Sequence, residues 1–234
     1  MPPADDVRLP LCVVVPTLNA ASGLETTLAA VASQVASIVV ADGGSTDRTR
    51  VIAEAFGASV ILAARGRGPQ LRAGAEAAQR LENCGWLLFL HADTRLSPGW
   101  AERVHRHITS PGSEKLAGYF RFRLDDPSPA ARRLERIVAW RCRRLGLPYG
   151  DQALLVHRSL YKTLGGFRPI PLMEDVDLVR RIGRHRLRLL TADALTSAAR
   201  YRRNGYWRRS LRNLLLFSLY FFGVPPGRLA RWYG

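Results

Sequence analysis

The strongest constraint on the fold is an alternation in the first ninety residues. Short β-branched or aliphatic runs at 11–16, 37–41, 60–63 and 86–90 alternate with stretches of helical period, such as Leu24, Leu28 and Val31. Helices are expected over 49–56 and 68–80, the first capped from the turn cluster Asp42-Gly43-Gly44-Ser45-Thr46-Asp47. Strands joined by helices lie mostly parallel, with helices on both faces, because the crossover must return to the same end of the sheet. Ligands of such α/β sheets bind beyond the C-terminal strand ends. The polar clusters Thr17–Asn19, Asp42–Asp47 and His91–Asp93 each follow a strand, so three distant stretches are expected to share one crevice.

Past residue 115 the period weakens. Strands are expected at 117–124 and 152–157, and helices at 130–144, 159–164, 175–182 and 206–222, the last ended by Pro225-Pro226. No repeat or linker interrupts the chain, so one domain is expected over 1–234, comprising a binding half (11–115), a second half (116–200) and a basic, apolar helical tail (201–234). Hydrophobic residues make up 47%, which is too apolar for a disordered chain. The net charge of +16 is unevenly placed: residues 1–120 carry eleven basic and eleven acidic side chains, residues 121–234 twenty-four and eight. The two halves therefore face different partners. Three dispersed cysteines suggest neither a disulfide framework nor a zinc site, and a reducing cytoplasm is expected. The N-terminus lacks a basic segment followed by an apolar one, and the apolar run 214–224 is too short to span a bilayer.

Four stretches carry chemistry. Pro16-Thr17-Leu18-Asn19 with Asp42-Gly43-Gly44 suits a nucleoside, since a carboxylate accepts from an imide N–H or ribose hydroxyl and glycine lets backbone approach a base. Each stretch alone also reads as a capped turn. His91-Ala92-Asp93 places a carboxylate at the mouth of an apolar strand, where pairing with a cation offsets burial, and His91 points to the same side. Glu174-Asp175-Val176-Asp177 opens a helix. It reads either as acids favoured by the helix dipole or as a general base aimed into the crevice. The basic helix start from Arg65 to Gly74, including Arg67 and Arg72, either faces a diphosphate or is solvated.

In this order and spacing, the stretches resemble a family 2 glycosyltransferase of the GT-A fold over about residues 11–182. The resemblance implies an inverting, metal-dependent transfer from a nucleotide-diphosphate sugar, with UDP as the expected carrier, to an acceptor hydroxyl. It implies that Pro16, Thr17, Asn19, Asp42, Gly44, Arg72 and Ala92 line the nucleotide pocket. Asp93, with His91, would hold Mg²⁺ or Mn²⁺, Asp175 beside Glu174 would deprotonate the acceptor, and Asp151 and Gln152 would contact the acceptor or donor sugar. The usual Asp-x-Asp is His91-Ala92-Asp93 here, the usual Asp-Asp-Gly-Ser is Asp42-Gly43-Gly44-Ser45, and Arg72 stands where an asparagine is frequent. His-Ala-Asp-Thr, Gly150-Asp151-Gln152 and Met173-Glu174-Asp175 together are similar to a bacterial subgroup named for arsenosugar biosynthesis and linked with radical-SAM genes, implying a small-molecule acceptor.

The basic half needs its own account. Arginines crowd 132–144 and flank Tyr201, Tyr206 and Trp207 before the apolar tail, a pattern suited to peripheral docking on an anionic membrane at the inner face, with a lipid-linked acceptor. The same tail also reads as a helix packed on the core, and the patch as one that steers an anionic acceptor. A nucleic-acid partner is not expected, because no reader motif accompanies the charge and the neutral half would go unexplained. A nucleotidyltransferase is the alternative within enzyme chemistry. It would release pyrophosphate instead of nucleoside diphosphate.

Overall fold

The structure, a computed structural model, describes residues 8–233; the N-terminal segment read above for a signal lies mostly outside them. Strand β1 (Leu9–Thr17) is the centre of a parallel quartet with β2 (Val35–Asp42), β3 (Ser59–Leu62) and β4 (Trp86–Phe89). A strand covered on both faces must be apolar on both, which is why β1 reads as a continuous run. Its Cys12 and Val14 pack towards Leu71, Ala75 and Ala78, while Leu11, Val13 and Val15 pack towards Leu24, Leu28 and Val31. Those partners belong to helices α1 (Ala21–Ala29) and α3 (Arg67–Ala78) and to the turn after α1; α2 (Thr49–Ala55) links β2 to β3. Close packing of α3 on β1 requires Gly74, since a Cβ there would lie 2.4 Å from Val14 Cγ1.

The sheet order is β3-β2-β1-β4-β7-β6-β8-β5. Antiparallel pairing enters beyond the quartet: β7 (Leu154–His157) runs against β4 and β6 (Ala117–Leu124), and β5 (Thr94–Leu96) against β8 (Leu187–Thr196), while β6 and β8 are parallel. The sheet is therefore mixed and flanked by helices, parallel in the half the sequence expresses most clearly. Sequence period did not show β5, β8 or α4 (Trp100–Ile108), where a three-residue strand and an arginine-interrupted strand give little signal. Residue 152, expected to begin β7, lies in the 3-10 turn Gly150–Gln152.

The remaining helices are α5 (Pro129–Leu145), α6 (Arg158–Thr163), α7 (Glu174–Ile182), α8 (Ala199–Asn204), α9 (Tyr206–Phe221) and α10 (Pro226–Tyr233). Helix α9 stops before the proline pair, as expected, and Pro226 then opens a further helix, since a proline at a first helical position forfeits no bond. Part of the basic crowd on α5 is structural: Arg132 and Arg123 both close on buried Glu135 at 2.6 Å. The α9 helix packs on the domain through buried Leu216, with Phe217 5.8 Å from Tyr149 and Arg180 over Phe221 at 4.7 Å. Among the described residues no helix is long and apolar enough to cross a membrane.

Candidate active site

Two of the three strand-end clusters, those after β1 and β4, meet in one cleft, whereas the cluster after β2 does not line it. A cleft of about 930 Å³ is lined by Pro16, Thr17 and Asn19 after β1, by Arg65, Gly66, Arg67 and Gln70 at the start of α3, and by His91, Ala92 and Asp93 after β4. Ser197 and Arg200, which follow β8, complete one side. Asn19 adopts a left-handed backbone (φ 50°), its N–H donating to Ser45 Oγ at 2.8 Å and its Oδ1 accepting from the Thr46 N–H at 2.9 Å. Buried Gln70 donates to the Thr17 carbonyl at 2.6 Å and the Ala41 carbonyl at 2.9 Å, tying α3 to two strand ends.

Three residues expected to meet a nucleotide, Asp42, Gly44 and Arg72, do not line this cleft. Asp42 is fully buried, and its oxygens accept from Thr17 Oγ1, Ser45 Oγ and the N–H groups of Gly44 and Ser45 at 2.5 to 3.1 Å. Burial pushes its carboxyl up, but the hydrogen bonds from Ser45, Thr17 and Gly44 outweigh it and hold it below the ordinary range. Asp42 thus shapes the loop, and Gly44, at φ 92°, is the turn that loop requires. Arg72 is half-exposed and pairs with Glu76 at 2.9 Å. It lies five residues after Arg67, about 140° around the helix, so the two cannot share a face.

A second cavity of about 140 Å³ holds the carboxylates. Asp151, Glu174 and Asp175 line it with Tyr149, Tyr201 and Arg209. Met173 in the left-handed region (φ 67°) turns the chain into α7, so Glu174 and Asp175 occupy its first turn. Asp175 is oriented by two backbone donors: Gly150 N–H to Oδ2 and Val176 N–H to Oδ1, both 2.7 Å. Gly150 is needed for that approach, since a Cβ would lie 2.6 Å from His91 Nε2. The third acid, Asp177, serves packing, bridged by Arg168 at 3.1 Å and Arg181 at 2.5 Å.

Burial governs titration here. The Glu174 carboxyl is pushed up to about 7 by burial and by the neighbouring Asp175 charge, with Arg67 opposing. Asp151 is pushed up to about 6 by burial, against Arg141, with Asp175 and Asp93 adding to the rise. His91 is held well below its usual value by burial and by the Arg67 and Arg200 cations, so its imidazole is neutral with a lone pair to offer. Gln152 is a correction: fully buried, it donates to the Phe120 carbonyl at 3.1 Å and accepts from Arg141 at 3.2 Å, locking its turn without facing the cavity.

Sequence placed Arg200, Tyr201 and Arg209 in the basic patch and not at this cavity. They come from the tail, and no local pattern signals that α8 and α9 fold back over the strand ends. Among the described residues no group of three or more His, Cys, Asp or Glu side chains could hold a metal ion by itself.

An α/β sheet whose loops gather into a cleft at one end of its strands defines the class of protein. Within that class the chain belongs to glycosyltransferase family 2, whose model, "Glycosyl transferase family 2", matches residues 12–164. No curated protein matches the chain. Among solved structures it is similar to glucosyl-3-phosphoglycerate synthase of Mycobacterium tuberculosis with Mn²⁺, UDP-glucose and glycerol 3-phosphate, at 17% identity, covering 88% of this chain and 78% of that one, TM-score 0.57. The same enzyme with Mn²⁺, UDP and phosphoglyceric acid matches at 22% identity over 80% and 68%, TM-score 0.52. At such identities the likeness is one of fold.

Proposed function

We propose that the protein transfers a sugar from a nucleoside-diphosphate sugar, carried on UDP, to a hydroxyl of a small acceptor with inversion at the anomeric carbon. The carrying observation is that the large cleft and the carboxylate cavity meet: Arg67, His91, Asp93, Ser197 and Arg200 line both. A donor in the cleft would then point its anomeric carbon at the carboxylates. In the step, the acceptor oxygen bonds to that carbon as the bond to the diphosphate oxygen breaks with its electron pair, and Asp175 takes the acceptor's proton. In-line displacement requires base and leaving group on opposite sides of that carbon, which a diphosphate in the cleft and Asp175 in the adjoining cavity would satisfy. Arg67 and Arg200 oppose the charge developing on the diphosphate.

Asp93 and His91 fit a divalent cation that completes its coordination with phosphate oxygens, the habit of Mg²⁺ and Mn²⁺, and the solved neighbours hold Mn²⁺ with UDP. Such an ion, when bound, supplies positive charge to the leaving diphosphate. The small cavity and the acceptors of the solved neighbours favour a compact acceptor, as does the resemblance to the arsenosugar subgroup. Calorimetric titration of UDP, GDP and dTDP with and without Mn²⁺ or Mg²⁺ tests the reading. Metal-dependent binding, strongest for UDP, is the expected result, and no binding with metal present overturns it. Release of pyrophosphate instead of nucleoside diphosphate would return the nucleotidyltransferase alternative.

A cytoplasmic placement at the inner face of the membrane is part of this proposal, carried by α9. Arg209, Asn213, Leu216 and Phe217 line the carboxylate cavity, whereas Trp207 (69% exposed), Leu211 (68%), Leu214 and Leu215 repeat at the same spacing on the opposite face. Phe222 after α9 and Trp232 on α10 are also exposed, as are Arg203, Arg208, Arg228 and Arg231 of the same tail. A symmetric dimer through this face would bring identical arginines together, while an anionic bilayer neutralises them. Co-sedimentation with phosphatidylglycerol-containing vesicles, abolished in Leu211→Glu/Leu215→Glu, is expected. Equal recovery with neutral phosphatidylcholine vesicles, or none with either, defeats the placement.

A further inference from the structure

Two buried polar atoms in the carboxylate cavity have no hydrogen-bond partner among the described residues: Asp151 Oδ1 and Arg209 Nε. One is an acceptor and the other a donor, and both residues line the same small space. Buried polar groups are nearly always paired, so a donor and an acceptor left unpaired on two residues that line one cavity mark where a polar molecule would be held. The arginines divide by position. Arg67 and Arg200 reach the donor cleft as well, whereas Arg209 lines the small cavity alone. Its guanidinium lies 5.0 Å from the centroid of the Tyr201 ring, which holds the plane in place. Asp151, Glu174 and Asp175 supply the opposite charge. An anion would avoid those carboxylates and settle on the arginine, and a hydroxyl would do the reverse. Arg209 lies beyond the residues matched by the family model, so this feature belongs to the chain's own tail.

We propose that the acceptor is a small hydroxylated anion, its carboxylate or phosphate accepting from the Arg209 guanidinium and a hydroxyl donating to the Asp151 carboxylate, which leaves a reacting hydroxyl at Asp175. This rests on the sugar-transfer reading and names its acceptor class. The same chemistry is offered by a free hydroxy acid or sugar phosphate and by the glycerol phosphate headgroup of a lipid.

The test is calorimetric titration of glycerate, glycerol 3-phosphate and glycerol into the protein loaded with UDP and Mn²⁺, and into the protein alone. At least one of the two anions is expected to bind and neutral glycerol not to. Arg209→Gln is expected to weaken the anion by about ten- to a hundredfold, the range for a lost hydrogen bond to a charged group. UDP affinity should stay unchanged, which also shows that the variant folds, and Arg209→Lys should recover part of the loss. Glycerol binding as tightly as the anions, failure of both anions, or an Arg209→Gln protein with unaltered anion affinity overturns the proposal. Anion binding without any UDP binding would sustain it and overturn the donor reading instead. Competition of glycerol 3-phosphate against phosphatidylglycerol but not phosphatidylserine vesicles assigns the headgroup, and its absence assigns the free anion.

Discussion

The loop after β2 and the start of α7 both bury a carboxylate at a strand-end crevice, yet the two are treated in opposite ways. Asp42 receives three hydrogen bonds from its own loop and a fourth from Thr17 at the end of β1, and is held ionised. Glu174 lies beside another acid, and its proton affinity is raised to about 7. Burial is common to both, so the difference lies in local donors: where the chain supplies them the carboxylate is structural, and where it withholds them the group is left to react. The contrast is between single carboxylates: Asp42 is fully supplied with donors, whereas Glu174 lies beside the charge of Asp175.

The sharpest way to break this contrast is Asp175→Asn. Turnover is expected to fall by about 10²–10⁴-fold with UDP binding unchanged, measured by steady-state kinetics and calorimetry. Retained turnover would move the base elsewhere. Asp42→Ala acts on the other region and should cost about 2–4 kcal/mol of folding stability, since it strands buried donors. Asp42's folded-state pKa lies below 3.8, so its contribution is complete above that value and fades as pH falls through the folded pKa; thermal melts at pH 7 and pH 3 would show it.

Glu174→Gln is expected to do the reverse. The folded-state value is raised from 4.5 to about 7, so between these the folded protein binds the extra proton and wild-type stability falls as pH rises. The variant should therefore gain on the order of 1–3 kcal/mol at pH 8 relative to wild type and little at pH 5, by denaturant unfolding. A variant that melts lower at pH 8 would mean that the charge is satisfied in a way the structure does not show. The smallest effect is expected for Arg72→Ala. Its exposed pair with Glu76 is worth under about 0.5 kcal/mol, and UDP affinity should not move. A large loss of UDP affinity would return Arg72 to the cleft.

Much of the fold was legible because strand and helix periods in the first ninety residues agree with their turn signals, and the meeting of Asn19 and Asp93 in one cleft follows from strand-end topology. What failed did so for physical reasons. Arg72 and Gln152 were chosen by place in a motif, but helical rotation carries Arg72 away from the cleft, and Gln152 is consumed by backbone and side-chain partners contributed by β6 and α5. Strand β8 is interrupted by Arg188 and Asp193, and its pairing with β6 spans some seventy residues, so no local window contains it.

The chain's own order of residues determined the parallel quartet, the strand-end loops and the pair Glu174-Asp175 at a helix start, because these arise from neighbours a few positions apart. Only the tertiary structure decided which acids are satisfied and that Arg209, Tyr201 and Arg200 roof the carboxylate cavity. The reason is that solvation and hydrogen-bond supply depend on what packs alongside, and the packing here joins residues more than fifty positions apart, such as Arg209 and Asp151.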